Sequence, residues 1–331
     1  MFSDLLLNLL DPDEQIRIPA EQTIIQLRDE NPEQYIQELI NVIIPSFDEQ
    51  NLIQLKIQHA SIVLLGQIIT HPDYIKNFDI DSSFFEQLST LLLPKMNSEN
   101  YDISYSSAVL FGESLGFLIR DQSHPGTFLQ LIEILQSDIN SITMNNPSEE
   151  DLRSLQFLLI SVTSFINSTP LNDEQIISLF QALYQLFQTD YLTNEVLQAI
   201  SSMTEEITNV FNQYSSFLTT ESAQNNEYQS YVDLLFEFFN QLLEKTSTNE
   251  ANKASFYNFF RLFFKHVSFS FFYDNLGKVL EIAYSDISTS MNESILLSSI
   301  HFLRTVLRRE KKMKTTIGTN FPPFFNSSHF N

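Results

Sequence analysis

Apolar residues recur along this chain at intervals of three and four, in stretches of roughly ten to twenty residues separated by short polar breaks. That is the period of helices that bury one face. The spacing predicts a short helix over 2–10 with Leu5, Leu6, Leu9 and Leu10 inward, and a second over 12–29 with Ile16, Ala20, Ile24 and Leu27 on one side. A third, over 32–44, carries Tyr35, Leu39, Ile40 and Ile43; a fourth, over 48–69, carries Leu52, Leu55, Ala60, Leu64 and Ile68. The pattern continues in pairs over 82–96 and 102–120, 125–139 and 147–167, 172–187 and 191–210, 226–245 and 251–272, and 273–285 and 288–312. Asp11-Pro12 and Asn31-Pro32 each set a capping side chain ahead of a proline, the arrangement best tolerated where a helix begins.

The first helices of these pairs begin near 2, 32, 82, 125, 172, 226 and 273. The mean period is roughly 45 residues, within the range of HEAT and armadillo units and beyond that of ankyrin and tetratricopeptide units. The expected fold is therefore all-α: an α-solenoid, or superhelix, of about seven HEAT-like antiparallel helix pairs, stacked because each hairpin carries more apolar surface than it can bury alone. Uneven individual spacings leave a non-repeating helical bundle as the alternative. Phe256, Phe259, Phe260, Phe263, Phe264 and Val267 form one aromatic stripe, expected to be a buried seam between repeats, with an exposed groove for a peptide as the alternative. Gly112 and Gly116 form a small-xxx-small pair expected to admit a neighbouring helix closely. Beyond residue 313 the pattern gives way to a Pro-Pro tail without a polar capping repeat, as expected of the N-terminal part of a longer protein or of a truncated product.

Composition agrees with helices: 331 residues hold only 6 glycines and 11 prolines, too few to punctuate many short strands. With no cysteine, disulfides, thiolate metal sites and cysteine nucleophiles are excluded. No signal peptide is apparent, and the apolar runs read as shorter than the roughly 18 residues a membrane span needs, so a soluble intracellular protein without membrane insertion is expected. Charge is unevenly placed. Six of the 18 basic residues lie between Arg304 and Lys314, and residues 1–303 hold 12 basic residues against 40 acids, a net of −28. Such a surface disfavours nucleic acid and complements a basic protein. No phosphate-loop, nucleophile-elbow or zinc-helix motif occurs, and the six histidines stand apart, none with another at i+3 or i+4. Ser148 followed by Glu149, Glu150 and Asp151 reads as a helix cap rather than an acid/base pair. The glycosylation triplets at Asn167 and Asn292 read as helix ends. No enzyme and no cofactor is expected.

The opening stretch, "LLNLLDPDEQIRIPAEQTIIQLRDENPEQYIQELINVI", resembles the N-terminal domain of importin-β-type nuclear transport receptors. The elements that carry the likeness are the Leu-rich first helix, Asp11, Arg17, Ala20, Glu21, Leu27, Asn31 and Pro32, all structural positions. Arg17 and Glu21 read as an i,i+4 ion pair. Residues 55–69 extend the resemblance, with Ala60 and Leu64 in register, while Ile57 stands where the family commonly has arginine and no tryptophan follows. The likeness implies an N-terminal importin-β-like domain with first HEAT repeats over 1–120, further repeats over 121–313 and an irregular tail over 314–331. It also implies binding of the GTP form of the small GTPase Ran by the second helices near 12–29, 48–69 and 102–120. Basic protein cargo would lie within the arch, Phe-Gly nucleoporins between outer helices, and the protein in cytoplasm, nucleus and nuclear pore. The alternative is a HEAT scaffold of the phosphatase or vesicle-coat type.

Overall fold

In the computed structural model the described residues are 2–44, 51–70, 82–120, 126–144, 146–217 and 226–317, and every regular element among them is helical. The chain divides into two compact units, Met1–Ala199 and Ile200–Asn331.

The first unit opens with α1 (Phe2–Leu9) and α2 (Glu14–Glu30), followed by α3 (Pro32–Ile43) and α4 (Leu52–Thr70). The expected cap at Asp11-Pro12 moves two residues on. Asp13 caps α2, its side chain accepting from the Gln15 amide, and Asp11 Oδ1 accepts from the Asp13 amide at 2.8 Å, so Pro12 lies in the turn rather than in the helix. At Asn31-Pro32 the helix break falls as expected, with the Asn31 amide donating to the Leu27 carbonyl and Pro32 beginning α3. The expected side-chain cap does not form, since the Asn31 side chain donates to Gln34 Oε1 instead of accepting from an α3 amide. The inward set is also corrected at its edges, because Leu10, Ile16 and Leu52 are 46%, 40% and 66% exposed. Each lies at or beside a helix terminus, where the neighbouring helix no longer covers the side chain.

Next come α5 (Ser82–Leu92), a 3₁₀ turn over Leu93–Asn97, and α6 (Tyr101–Arg120). Pro94 is the reason α5 stops short of the expected 96, since it has no N–H to continue the α-helical ladder and the chain tightens into a 3₁₀ turn instead. After α7 (Thr127–Met144) and α8 (Glu149–Ser168) come α9 (Asp173–Gln188) and α10 (Thr193–Ser202). Ser148 caps α8 in a reciprocal box with Asp151, the arrangement that satisfies two orphan amides at once. Its hydrogen bonds hold the Asp151 carboxyl below the usual carboxylate range. The second helices of successive hairpins pack on one another, α4 on α6 and α6 on α8.

The α6–α8 contact is the tightest. Ser104, Ala108, Gly112 and Gly116 recur every fourth residue on one face of α6, all buried. A β-carbon on Gly112 would fall 2.1 Å from the Ser161 carbonyl oxygen and 2.9 Å from the Phe165 amide nitrogen; one on Gly116 would fall 1.9 Å from Ser168 Oγ. Backbone therefore meets backbone, and Ser164 Oγ donates across the seam to the Val109 carbonyl at 2.9 Å.

One 18-residue window of α4, Leu52–Ile69, is long and apolar enough to cross a bilayer by length and composition, contrary to the expectation that every run falls short. Its apolar content has a packing reason: α4 touches α1, α3 and α6, so several faces are covered. Its buried polar groups are paired to α3, Gln58 Nε2 donating to the Ile43 carbonyl at 2.8 Å and Ser61 Oγ to the Leu39 carbonyl at 2.9 Å.

The helix expected over 191–210 is broken. α10 ends at Ser202 and α11 (Thr204–Phe217) begins after Met203. Thr204 Oγ1 donates back to the Ile200 carbonyl at 3.1 Å and Thr208 Oγ1 to the Thr204 carbonyl at 2.8 Å, the competition for backbone acceptors by which threonine bends helices.

The second unit continues with α12 (Asn226–Thr248), a 3₁₀ turn over Glu250–Asn252, α13 (Lys253–His266), α14 (Phe269–Thr289) and α15 (Glu293–Ile317). α15 runs past its expected end at 312; the chain beyond 317, with His71, His124 and His329, lies outside the described residues. Asn292 caps α15, accepting from the Ser294 amide at 2.9 Å. The aromatic stripe of α13 is a seam, as expected: Phe256, Phe259, Phe260, Phe263, Phe264 and Val267 are all buried, which removes the exposed-groove alternative. Phe239 of α12 gathers the rings, with centroids 5.7 Å from Phe260, 5.9 Å from Phe264 and 5.2 Å from Phe271, distances typical of edge-on aromatic pairs. Turns are fastened by polar side chains. Asn212 donates to the His266 carbonyl and accepts from the Ser268 amide, and Arg309 donates to the carbonyls of Phe264 and Val267.

Beneath this seam Lys253 Nζ lies 2.7 Å from Asp286 Oδ1, and Tyr257 Oη donates to Asp286 Oδ2 at 2.6 Å, tying α13 to α14. Burial and then the Asp286 contact push the Tyr257 phenol above its ordinary range.

Two stability outcomes follow from these contacts. Gly112→Ala places a methyl group against backbone that cannot rotate away and is expected to cost about 3 kcal/mol in urea unfolding. Gly116→Ala, which meets a rotatable serine hydroxyl first, should cost less. Asp286→Ala leaves the Tyr257 phenol without its acceptor and Lys253 with only Glu250 among the described residues. It should cost about 2–3 kcal/mol, with the Lys253→Met/Asp286→Leu pair losing less than Asp286→Ala alone.

Candidate functional site

The residues that carry the family resemblance hold the first two hairpins together and do not converge. Ala20 is buried where α2 closes on α1, Asp11 lies half-buried in the turn, Leu27 is half-buried, Glu21 is exposed, and Asn31 and Pro32 form the α2–α3 joint. The ion pair expected between Arg17 and Glu21 forms instead with Glu14, at 3.3 Å, because in this rotamer the arginine reaches back one turn toward the helix start. On α4, Ala60 is buried and Leu64 half-buried.

What does converge lies further along the first unit. α6 carries a second row beside its small-residue row, one position on: Tyr101, Tyr105, Val109 and Glu113, again every fourth residue. Because the glycines draw α8 against one side of α6, this neighbouring row faces a groove of about 660 Å³ bounded by α6, α8 and α10 and closed by Ile69 of α4. A smaller cavity of about 310 Å³ continues between α4 and α6, sharing Tyr105, Val109 and Glu113. The groove is thus built from second helices of four successive hairpins.

Two tyrosines form its edge. Tyr101 is 56% and Tyr105 45% exposed, with ring centroids 6.1 Å apart and planes 22° from parallel. Polar side chains of α8 and α10 line the opposite wall, where Gln156 Nε2 donates to Glu195 Oε1 at 2.9 Å. Glu113 lies at the junction of the two cavities, half-buried, and makes no hydrogen bond or ion pair with any described residue. A β-carbon on Gly66 would be 3.9 Å from Glu113 Oε2, ordinary van der Waals contact, so α4 passes close to the carboxyl without a charged side chain there. Burial without a counter-charge raises the Glu113 carboxyl from 4.5 to about 7. Among the described residues no Lys, Arg or His lines either cavity.

Chemically, this is a binding surface: it offers an anionic focus, two aromatic faces and a wall of amides and hydroxyls. Among the described residues no group of three His, Cys, Asp or Glu gathers as a metal site. Sequence reading missed Tyr101, Tyr105, Glu113 and Glu195. The four-residue spacing of the α6 row was present in the sequence, but nothing local distinguished it from a row covered by another helix.

No protein-family model matches the chain, and no curated protein matches it in sequence. Among solved structures it is similar to importin-β crystallised in ammonium sulfate, with 15% identity and a TM-score of 0.66 over 99% of this chain and 36% of that one. It is also similar to Kap95p bound to RanGDP, with 13% identity and a TM-score of 0.67 over 98% and 35%. The Kap95–Nup1 complex gives 13% identity and 0.62 over 98% and 36%. The chain thus spans about a third of the length of those proteins. The fold is an all-α solenoid of the HEAT and armadillo kind, importin-β-like in its arrangement.

The Glu113 carboxyl carries a stability consequence. Its pKa is raised in the folded chain, so the stability linked to its protonated form is complete below about 4.5 and is lost as pH rises through about 7. Glu113→Gln, which cannot ionise, is expected to melt with the wild type at pH 4 and roughly 2–4 °C above it at pH 8, as followed by circular dichroism.

Proposed function

We propose that this chain acts as a nuclear transport receptor of the importin-β kind, working by binding and release rather than by catalysis. The observation that carries the reading is the agreement of nearly the whole chain with the importin-β and Kap95p solenoids, joined to the family-like segment at residues 5–69. Kap95p is known in complex with RanGDP and with Nup1; on this reading the present chain takes Ran in its GTP form and Phe-Gly nucleoporins. Ran meets the second helices α2, α4 and α6, basic protein cargo is held by the strongly acidic surface, and nucleoporin segments bind between first helices. The protein then moves between cytoplasm and nucleus through the pore.

Release requires that Ran and cargo prefer different shapes of the stacked hairpins, since a ligand with equal affinity for both shapes shifts nothing. Hairpins that each contact only their neighbours suit this, because small changes at each joint add along the array.

The test is a pull-down of the chain with Ran loaded with GTP or with GDP. Retention at least tenfold stronger with GTP is expected. Equal retention, or none with either nucleotide, rejects the receptor reading, and a partner held regardless of nucleotide would favour the scaffold alternative.

A further inference from the structure

The groove on α4, α6, α8 and α10 has a more specific chemistry than an acidic surface at large. A half-buried carboxylate without a partner among the described residues is a cost to the folded chain. Here it stands where two cavities meet, in the groove whose edge carries two exposed tyrosine faces, about two to three helical turns back along α6. The two cavities share Tyr105, Val109 and Glu113, so the space is elongated rather than a pit for a single ion. Its lining among the described residues holds Glu113 and Glu195 and no cationic side chain, and Gln156, Thr163, Asn167 and Gln198 provide amide and hydroxyl groups along the wall.

We propose that this groove is a docking site for an extended basic segment of a protein partner, with one Lys or Arg side chain over the faces of Tyr101 and Tyr105 and a second, about two helical turns further along α6, pairing with Glu113. Charge complementarity identifies the occupant. One cation supplies the counter-charge that Glu113 lacks among the described residues, and the tyrosine ring faces attract a second through their quadrupoles. The backbone of an extended segment finds donors and acceptors on α8 and α10. The inference rests on the carrier reading for the partner's identity, a basic cargo protein, and on the groove alone for the chemistry.

Docking is coupled to proton release. Among the described residues the titratable groups that line the groove with Glu113 are Tyr101 and Tyr105 from α6 and Glu195 from α10, and neither α4 nor α8 contributes one. With the carboxyl ionising at about 7, the binding-competent fraction of the free chain rises about tenfold between pH 6 and pH 8, and the apparent affinity rises with it.

The experiment uses the whole chain with isotope-labelled tyrosine, titrated with a capped hexapeptide of alternating arginine and alanine at about 0.15 M salt, where the Debye length is about 8 Å. Saturable shifts of the Tyr101 and Tyr105 ring resonances are expected, with affinity about tenfold higher at pH 8 than at pH 6. Glu113→Gln should abolish that pH dependence and weaken binding about tenfold or more, in line with loss of a charge-assisted contact. Glu149→Gln, which removes an exposed acid from the first turn of α8, should weaken it about twofold or less. Tyr105→Leu serves as the second variant, weakening the peptide while keeping the pH dependence. Equal losses in Glu113→Gln and Glu149→Gln, tyrosine shifts that are absent, or equal binding of an alanine-only hexapeptide would overturn the proposal. A chain that binds the peptide here yet ignores Ran keeps this site and loses the receptor reading; the opposite result keeps the receptor and loses the site.

Discussion

The close approach of α8 to α6 is the contact on which the first unit depends. Ordinary helix pairs stand about 8–10 Å apart because side chains separate them. Here Gly112 and Gly116 remove the separating atoms, so that the Ser161 carbonyl and the Phe165 amide lie where a β-carbon would be. The seam gains dispersion contacts along its length and a hydrogen bond from Ser164 to Val109. It also decides what the next row of α6 can do. With α8 drawn to one side, Tyr101, Tyr105, Val109 and Glu113 face a groove instead of a neighbour. Packing and candidate site thus share one cause.

The second unit is held by different means. It has no glycine pair like that of α6, and rings fill the space: five phenylalanines of α13 are buried, with Phe239 and Phe271 against them. Aromatic side chains cover much area for little lost freedom, which suits a seam that seals by contact area. Rings leave turn backbone without partners, and side chains satisfy it: Asn212 bridges the α13–α14 turn, and Arg309 covers carbonyls at the end of α13. The Lys253–Asp286–Tyr257 cluster is buried with both carboxylate oxygens engaged, the condition under which buried charge is tolerated.

The strongly acidic composition takes on meaning only where geometry concentrates it. Spread over a surface and screened by salt, excess acid keeps a protein soluble and steers encounters. At Glu113 one carboxylate is half-buried in the groove whose edge carries two aromatic faces, and its proton affinity is set by burial rather than by the solvent. A solenoid suits such placement, because each second helix contributes one row to a continuous face.

Much of the fold was legible in the sequence. Periodicity located the helices, Asn31-Pro32 marked the joint between the first two hairpins, Ser148 with Asp151 marked the start of α8, and Gly112 with Gly116 announced a tight neighbour, because caps and apolar periods are local properties of the chain. Where the reading slipped, a short-range competitor had won: Asp13 over Asp11 as the cap, Glu14 over Glu21 for Arg17, and threonine hydroxyls over a continuous helix at Met203. The groove was not legible. Whether a row of side chains on α6 is covered or open depends on where α4, α8 and α10 come to rest, and those helices lie up to ninety residues away along the chain. Sequence by itself determined which residues form helices and which faces must be buried, since backbone preference and apolar period act within a few turns. Only the tertiary structure decided which face stays open, because exposure is a property of neighbours that the chain brings together after those turns have formed.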